Sequence, residues 1–267
     1  MTRWAVCVQY DGTVFSGWQR QDDRRSVQQE VETALSAIAG APVVVACAGR
    51  TDAGVHAFGQ VVSFDTATSR APQAWVAGGN SRLPPDVSFA WAQAVPESFH
   101  ARFSALSRSY RYVIWNAPAR AALVARHAVW VRYPLNAQRM HAAAQALLGE
   151  QDFSAFRAAG CQSRTPMRCV FSADVWRSGA FVVVEIRANA FVYHMVRNIV
   201  GSLIEVGQGR RPPAWIAELL AGRDRRLAAA TAPPGGLFFA GVEYAADYAL
   251  PAPPKAWFPG FPEGAAT

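Results

Sequence analysis

The sequence lacks any long hydrophobic segment: no run of about eighteen or more apolar residues occurs in its 267 residues. Its N-terminus also lacks the basic segment followed by an apolar one that marks a secretory signal. These absences argue against a membrane span and against export. We therefore predict a soluble, cytoplasmic protein that does not associate with a membrane.

Cysteine and histidine are scarce, and neither has the spacing of a metal site. The four cysteines form no C-x-x-C pair, so we predict buried free thiols rather than a zinc site or a disulfide framework. The five histidines show no metal-ligand spacing such as H-E-x-x-H. The sequence therefore predicts no bound metal.

Lysine is nearly absent, since Lys255 is the only lysine among 26 basic residues and all the others are arginine. A preference for GC-rich codons explains arginine in place of lysine. It does not explain the excess of positive charge, a formal net charge of +7. A basic, moderately apolar protein is suited to binding the phosphate backbone of a nucleic acid. Charge alone makes nucleic acid one candidate partner among several.

The order of helical and strand patterns predicts an α+β fold with two domains. We expect an N-terminal domain over 1–104, a C-terminal domain over 105–247 and a tail rich in Pro, Gly and Ala over 248–267. Both domains contain largely antiparallel strands flanked by helices, which suggests two similar domains. The predicted strands are 4–10, 43–48, 60–64, 87–95, 108–115, 170–177, 180–188 and 237–244, and the predicted helices are 26–40, 136–148, 191–206 and 213–221.

Local signals mark the ends of several of these elements. Ser26 and Gln29 form a capping-box pattern at the start of the first helix, and Gly40 is placed to end it. Asn136 is expected to cap the second helix. The pair Ser178-Gly179 predicts a two-residue turn between neighbouring strands.

Eight consecutive residues, Gly49-Arg50-Thr51-Asp52-Ala53-Gly54-Val55-His56, carry the strongest functional signal of the chain. They lie between two apolar runs, so we predict a loop between two buried strands. The two glycines allow a ligand to approach the main chain closely. Taken alone, Asp52 in such a loop is as consistent with capping a turn as with catalysis.

The string GRTDAGVH resembles the active-site signature of tRNA pseudouridine synthases, specifically of the tRNA pseudouridine synthase A (TruA) family. The resemblance covers nearly the whole chain, because further blocks follow in family order. Departures lie mainly in arginine-rich surface stretches and in the tail. The further blocks are Val8-Gln9-Tyr10-Asp11-Gly12, Phe15-Ser16-Gly17-Trp18-Gln19, Phe99-His100-Ala101-Arg102-Phe103-Ser104, Ser109-Tyr110-Arg111-Tyr112, Cys161-Gln162-Ser163-Arg164-Thr165 and the run 189–198.

The resemblance implies that Asp52 is the catalytic residue and that the active site lies in a cleft between the two domains. Pseudouridine formation breaks the glycosidic C–N bond of a uridine, turns the base and rejoins it through carbon 5. Nothing is oxidised, so no cofactor is expected. A carboxylate can attack the base, attack the sugar or remove a sugar proton, and the sequence leaves these routes open.

Arg197 lies in a mostly apolar predicted helix, where a guanidinium is rarely buried without a partner. It matches the basic residue of the family that pairs with the catalytic aspartate, and the resemblance therefore implies an ion pair with Asp52. The alternative from the pattern alone is that Arg197 extends to solvent on a polar stripe with His194 and Asn198.

Three other residues complete the predicted site. Tyr110 matches the substrate tyrosine of the family, which is expected to stack on the flipped uracil. Tyr112 shares the face of Tyr110 on the same strand and is expected in the core. Arg50, two residues before Asp52, is expected to contact RNA, whereas we expect His56 to pack within the loop.

The resemblance further implies a homodimer that modifies uridines at positions 38, 39 and 40 in the anticodon stem-loop of tRNA. One alternative is a non-catalytic RNA-binding protein with the same fold, which the joint presence of Asp52, Tyr110 and Arg197 argues against. A second is a metal-dependent phosphodiesterase, which the lack of clustered acidic ligands argues against.

Overall fold

The structure, a computed structural model, describes residues 1–252. This part of the chain is α+β with largely antiparallel strands, which confirms the predicted fold class. Its strands are β1 (Thr2–Tyr10), β2 (Ala46–Cys47), β3 (His56–Thr66), β4 (Val87–Val95), β5 (Ala105–Asn116), β6 (Val129–Val131), β7 (Gly149–Asp152), β8 (Met167–Ser178), β9 (Phe181–Ala188) and β10 (Leu237–Tyr244). Its α-helices are α1 (Val27–Ala39), α2 (Pro72–Asn80), α3 (Ala137–Ala144), α4 (Met195–Gly207) and α5 (Trp215–Gly222).

Within the described residues, the first of two compact units comprises Met1–Arg108 and 238–252. Its strand order is β4-β1-β3-β10, with β2 paired to β3. Strand β1 is antiparallel to both of its neighbours, whereas β10 runs parallel to β3. Helix α2 packs on β4 and on α1. The sequence prediction placed the residues of β10 in the C-terminal domain, 105–247, whereas β10 belongs to the first unit and pairs with β3. Pairing between segments so distant in sequence leaves no local pattern that could predict it.

The second unit comprises Ser109–Leu237. Its strand order is β5-β9-β8-β7, with β6 paired in parallel to β5. Helix α3 packs on β8 and on α4. In the β8–β9 hairpin Ser178 pairs with Phe181, so the two-residue loop is Gly179-Ala180 rather than the predicted Ser178-Gly179. Gly179 has a φ of +56°, which glycine adopts without strain.

The predicted capping box of α1 does not form. Ser26 makes no side-chain cap hydrogen bond, and its buried hydroxyl has no partner. Backbone carbonyls from the preceding loop take over at this end: the Val27 N–H donates to Gly17 O at 3.2 Å. The Gln28 N–H donates to Trp18 O at 3.0 Å. The predicted C-terminal signal is confirmed, since Gly40 is left-handed with a φ of 70°.

Several other element bounds differ from the sequence prediction. Strand β2 is shorter than predicted, β3 begins earlier, and α2 was not predicted because two glycines weaken its helical pattern. Helix α3 is capped by Asn136 as predicted but ends earlier, in a 3-10 turn. Helix α4 begins at Met195 rather than at 191, because His194 before it is left-handed with a φ of 59°.

Two remaining predictions concern the thiols and the chain end. All four cysteines are free, as predicted, but only Cys7 is buried, and the other three are half-buried. The predicted tail lies outside the described residues from position 253 onward. Among residues 1–252, none of the helices has both the length and the apolar character that a bilayer crossing requires.

Candidate active site

The predicted catalytic aspartate lies in the Asp52 loop, which we define as residues 48–55 between β2 and β3. Thr51 is buried, Asp52 half-buried and Arg50 exposed. The main-chain carbonyl of Asp52 accepts the Val55 N–H at 3.2 Å, which closes a tight turn. Gly54, the third residue of this turn, has a φ of +76°, where a side chain would be strained. The loop thus presents Asp52 from a turn that requires glycine.

The segment between β1 and α1, residues 11–26, supports the Asp52 loop by hydrogen bonds, and we call it the N-terminal loop. The Trp18 N–H donates to Thr51 O at 3.0 Å, and the Gly54 N–H donates to Phe15 O at 3.4 Å. The buried Tyr10 hydroxyl lies 2.8 Å from the Thr51 hydroxyl. Thr51 before Asp52 and Gly54 after it are therefore fixed by residues about 33 to 41 positions away in sequence.

Two glycines of the N-terminal loop allow this close approach. A Cβ atom on Gly12 would lie 2.0 Å from the backbone oxygen of Val55. A Cβ on Gly17 would lie 2.8 Å from Thr51 O. Either distance is far below van der Waals contact, so any larger residue would displace the Asp52 loop. The sequence blocks 8–12 and 15–19, which had no predicted role, thus support the Asp52 loop through these two glycines.

The other end of the Asp52 loop is held by β3 and by the start of β5. The buried Gln60 side chain bonds the main chain of Gly49 in both directions, accepting its N–H at 3.3 Å and donating to its carbonyl at 2.5 Å. Gly49 also packs against the Phe239 ring, where a Cβ would lie 2.9 Å from Cε2. The Arg108 guanidinium donates to Ala48 O from both Nε and Nη2, at 3.3 and 3.2 Å.

His56 is buried at the start of β3, in agreement with the expectation that it packs. Its Nδ1 accepts the Gly12 N–H at 3.0 Å and lies 3.2 Å from an Asp11 carboxylate oxygen. Its ring stacks on Phe238 at 4.7 Å. Burial tends to raise the pKa of Asp11, but its contact with His56 and the hydrogen bonds that it accepts from Thr13 outweigh this effect, so the pKa of Asp11 lies well below its usual range.

In the second unit, β5 presents Tyr110 and Tyr112 as alternation predicts. Tyr112 is fully buried, and its hydroxyl donates to Pro233 O at 2.7 Å, which confirms its place in the core. Tyr110 is half-buried, with its ring edge-to-face against Phe191 at 4.8 Å. Arg111 between them instead bonds Glu185 at 2.7 Å. Tyr110 is thus the more accessible of the two rings.

Arg197 lies in the first turn of α4 and is half-buried. Its Nε donates to Ala232 O at 2.8 Å, and its own carbonyl accepts the Ala232 N–H at 3.1 Å. Tyr112 bonds the next residue, Pro233, and the positive charge of Arg197 acts to lower the pKa of Tyr112 against the larger effect of burial. The segment 232–233 therefore joins the Tyr112 strand to the Arg197 helix.

The alternative of a solvent-facing polar stripe is wrong for Asn198, which is fully buried. Its amide donates to Phe156 O at 2.8 Å, and its Oδ1 accepts from Thr231 at 2.7 Å and from Arg225 at 3.0 Å. Ser202 donates to the Asn198 carbonyl at 3.1 Å. Sequence reasoning missed this network, and its only signal was an asparagine inside an apolar helical pattern.

The four predicted site residues fall on both units. Arg50 and Asp52 share the Asp52 loop of the first unit, whereas Tyr110 and Arg197 belong to the second, where the segment 232–233 links their elements. The ion pair of Asp52 with Arg197 stays a prediction, as do the substrate-binding roles of Arg50 and Tyr110.

Comparison with known proteins identifies the family. A family model described as tRNA pseudouridine synthase matches residues 6–104 and 143–245. The protein named tRNA pseudouridine synthase A from Escherichia coli (strain SMS-3-5 / SECEC) is 56% identical over 250 residues, which cover 94% of this chain and 93% of that protein. The protein of the same name from Shigella boydii serotype 18 (strain CDC 3083-94 / BS512) matches to the same extent.

A solved structure titled "Crystal Structure of a Cbf5-Nop10-Gar1 Complex" aligns with 75% of this chain and 54% of that chain at a TM-score of 0.32 and 12% identity. The family match covers both units, including the Asp52 loop and the α4 segment with Arg197, and it confirms the family suggested by the sequence. This chain belongs to the tRNA pseudouridine synthase family.

Proposed function

We propose that this protein isomerises uridine to pseudouridine at positions 38, 39 and 40 in the anticodon stem-loop of tRNA, with Asp52 as the catalytic carboxylate. The observation that carries the proposal is the Asp52 loop itself, in a chain of this family. Its carboxylate sits on a turn that the N-terminal loop fixes at Thr51 and Gly54, and Gln60 holds the start of the loop at Gly49. A fixed carboxylate needs little rearrangement before it reacts.

The chemistry requires one carboxylate, access to an extruded base and a pocket that retains the detached uracil. Arg197 pairs with Asp52 and fixes the direction of its carboxylate, since a guanidinium bonds a carboxylate in a defined geometry. Tyr110 stacks on the uracil and replaces the neighbours that the base loses when it leaves the helical stack. Arg50, exposed beside Asp52, contacts the RNA backbone.

The partners follow from the same proposal. The net charge of +7 favours binding to tRNA phosphates. The enzyme works in the cytoplasm as a homodimer, so that one subunit can hold the body of the tRNA while the other receives the target base. No bond is oxidised or reduced in the reaction, and the proposal includes neither cofactor nor metal.

Tritium release from tRNA transcripts labelled with 5-tritiated uridine tests the proposal, because the hydrogen on carbon 5 is lost to water when the base is rejoined there. Three transcripts each keep a uridine at only one of positions 38, 39 and 40 within the anticodon stem-loop, and a fourth keeps none. We expect tritium release from the first three transcripts and none from the fourth. The result should be the same with or without excess chelator.

The outcomes separate the alternatives. A non-catalytic RNA-binding protein would bind all four transcripts and release no tritium. A metal-dependent phosphodiesterase would cleave the RNA chain and lose its activity in chelator. Release from a transcript without these three uridines would move the substrate positions elsewhere in the tRNA.

A further inference from the structure

The segment 99–104 of the first unit is a turn that is anchored in the core by two side chains and exposes others to solvent. Phe99 and Ala101 are fully buried. The Ala101 N–H donates to Ser63 Oγ at 3.1 Å, and the Ala101 carbonyl accepts the Tyr244 hydroxyl at 2.7 Å. The turn closes on itself, since the Ser104 N–H donates to the His100 carbonyl at 2.9 Å. Its outward side chains therefore start from a fixed backbone.

The outward side chains form a stacked cluster of three flat groups, His100, Arg102 and Phe103. The Phe103 ring lies 4.4 Å from the His100 ring, and the Arg102 guanidinium lies 5.5 Å from the Phe103 ring centre. His100 Nδ1 accepts the N–H groups of Arg102 and Phe103 at 3.1 and 3.3 Å, which leaves Nε2 of the half-buried ring to carry the N–H. Phe103 is nevertheless 76% exposed.

Arg108 connects this cluster to the Asp52 loop. Its Nη2 donates to Arg102 O at 2.5 Å and to Ala48 O at 3.2 Å, so a single nitrogen bonds both segments. Arg50 and Arg102 also share a neighbour: burial raises the pKa of the Cys47 thiol to about 12, against the lowering effect of these two positive charges. The cluster and the exposed Arg50 thus belong to the same part of the first unit.

We propose that His100, Arg102 and Phe103 form a stacking platform for an unpaired base of the bound tRNA next to the target uridine. The inference rests on the proposed function and assigns a role to a sequence block that the catalytic chemistry does not use. An exposed ring held on an anchored turn stacks on any base, since every base offers a flat face. Arg102 and the His100 Nε2–H supply donors for the adjoining phosphate.

An unpaired base fits this cluster better than a duplex or another protein does. The platform is small, since its exposed Phe103 ring is flanked only by the His100 ring and the Arg102 guanidinium, and this size matches the face of one nucleotide rather than a subunit interface. A base inside a duplex is already stacked and offers only its edges. When an enzyme extrudes a uridine, the bases beside it lose a neighbour, and an aromatic ring replaces that contact.

Substitution of the ring tests the platform. Phe103→Leu keeps an apolar side chain of similar volume but removes the ring, and we expect tRNA to bind roughly 5- to 150-fold more weakly, with an unchanged salt dependence. Phe103→Tyr should restore wild-type affinity. Arg102→Gln should instead lower the slope of affinity against salt by about one phosphate contact. Tyr133→Leu, which removes another exposed ring (60%), is the matched control and should bind as wild type does.

A coupling measurement identifies the stacked base and keeps this test separate from that of the proposed function. Anticodon stem-loops with one abasic site at each loop position are bound by wild type and by Phe103→Leu. At one position the loss from the abasic site and the loss from Phe103→Leu should not add, because both remove the same contact. Coupling at no position would overturn the platform even where tritium release from wild-type enzyme supports the proposed function.

Two further outcomes would also overturn it. Equal tRNA affinity of Phe103→Leu and wild type would show that the ring does not stack on RNA. A change of oligomeric state in sedimentation of Phe103→Leu, without weaker tRNA binding, would make the cluster a contact between copies of this chain. Equal melting temperatures of Phe103→Leu and Phe103→Tyr confirm that the comparison is between folded proteins.

Discussion

The Asp52 loop of the first unit and the start of α4 in the second are both irregular segments that carry a predicted site residue, yet they are fixed by different means. Main-chain hydrogen bonds and glycine contacts hold the turn at Asp52, with Gly12 and Gly17 against its backbone, and the Gln60 and Arg108 side chains bond the other end of the loop. Side chains hold the start of α4, where buried Asn198 bonds three other segments. The turn at Asp52 depends on the absence of side chains at two glycines, and the start of α4 depends on a polar network.

The difference predicts how each segment fails. A glycine contact tolerates no added atom, because the neighbour is backbone and cannot move aside. A polar network loses one bond at a time, although each buried group left without a partner costs free energy. The first arrangement fixes the turn that carries the predicted catalytic carboxylate, and the second joins helix α4 to the segment 231–233, which also holds Tyr112.

The largest expected effect comes from a substitution that removes the proposed catalytic group but leaves the contacts that hold the Asp52 loop unchanged. Asp52→Asn keeps the shape of the side chain but removes its charge and its capacity to act as a nucleophile or base. We expect tritium release to be abolished while the melting temperature and tRNA affinity stay near the wild-type values.

Asp23→Asn is the matched control, since Asp23 is an exposed carboxylate of the same unit, and it should be fully active. Turnover of Asp52→Asn within about tenfold of wild type would exclude Asp52 as the catalytic group.

The next effect tests the glycine support. Gly12→Ala places a Cβ 2.0 Å from Val55 O, so the Asp52 loop or the N-terminal loop must shift. We expect the free energy of unfolding to fall by about 3 kcal/mol in urea titration, with loss of activity even below the unfolding transition.

Gly78→Ala controls for the loss of a glycine as such. Gly78 lies in α2, its nearest neighbour is the flexible Ile38 side chain at 3.4 Å, and alanine favours a helix. It should be as stable as wild type or slightly more stable. Equal stability of Gly12→Ala and Gly78→Ala would show that the N-terminal loop and the Asp52 loop are not tightly packed against each other.

The third effect tests the polar network at the start of α4. Asn198→Leu fills a similar volume but leaves Phe156 O and the Thr231 hydroxyl without their buried partner. We expect a loss of about 2 kcal/mol in the free energy of unfolding. Ser202→Ala removes the bond to the Asn198 carbonyl and the longer bond from the Ala229 N–H at 3.3 Å, and it should cost about 1 kcal/mol. Equal costs for the two variants would contradict the central position of Asn198.

Local patterns predicted elements whose signals lie within a few residues. The strand over 87–95 has the bounds of β4, Asn136 caps α3 through the Arg139 N–H, and Gly40 ends α1. The failures lie where distant segments decide. Ser26 does not cap α1, because carbonyls of the preceding loop bond the first N–H groups of the helix.

The candidate site divides in the same way. Motif resemblance located Asp52, but no spacing rule connects Gly12 to Val55 or Gln60 to Gly49, since these contacts exist only after the strands pair. The sequence also carries no sign of the left-handed His194 that delays the start of α4 to Met195, because the apolar pattern continues on both sides of it. Sequence thus singles out candidate reactive groups, whereas the contacts that position them are seen only in the fold.

The smallest expected effect concerns Tyr110, where the ring and the hydroxyl are tested separately. Tyr110→Ala removes the proposed stacking face, which is worth roughly 1–3 kcal/mol for a base, and it also removes the contact with Phe191. Tyr110→Phe keeps both. If the ring alone holds the uracil, Phe should retain most of the turnover, whereas Ala should lose it. If the hydroxyl also transfers a proton, Phe should bind tRNA normally and fail to give product.

Tyr112→Phe is the control on the same face of β5, because it too removes a hydroxyl, but one that bonds Pro233 O in the core. It should lower the free energy of unfolding by about 1 kcal/mol and leave turnover unchanged. The pair thus separates a tyrosine that binds substrate from one that packs. Near-wild-type kinetics for Tyr110→Ala would assign Tyr110 to packing as well, and the second unit would then contribute Arg197 alone to the proposed site.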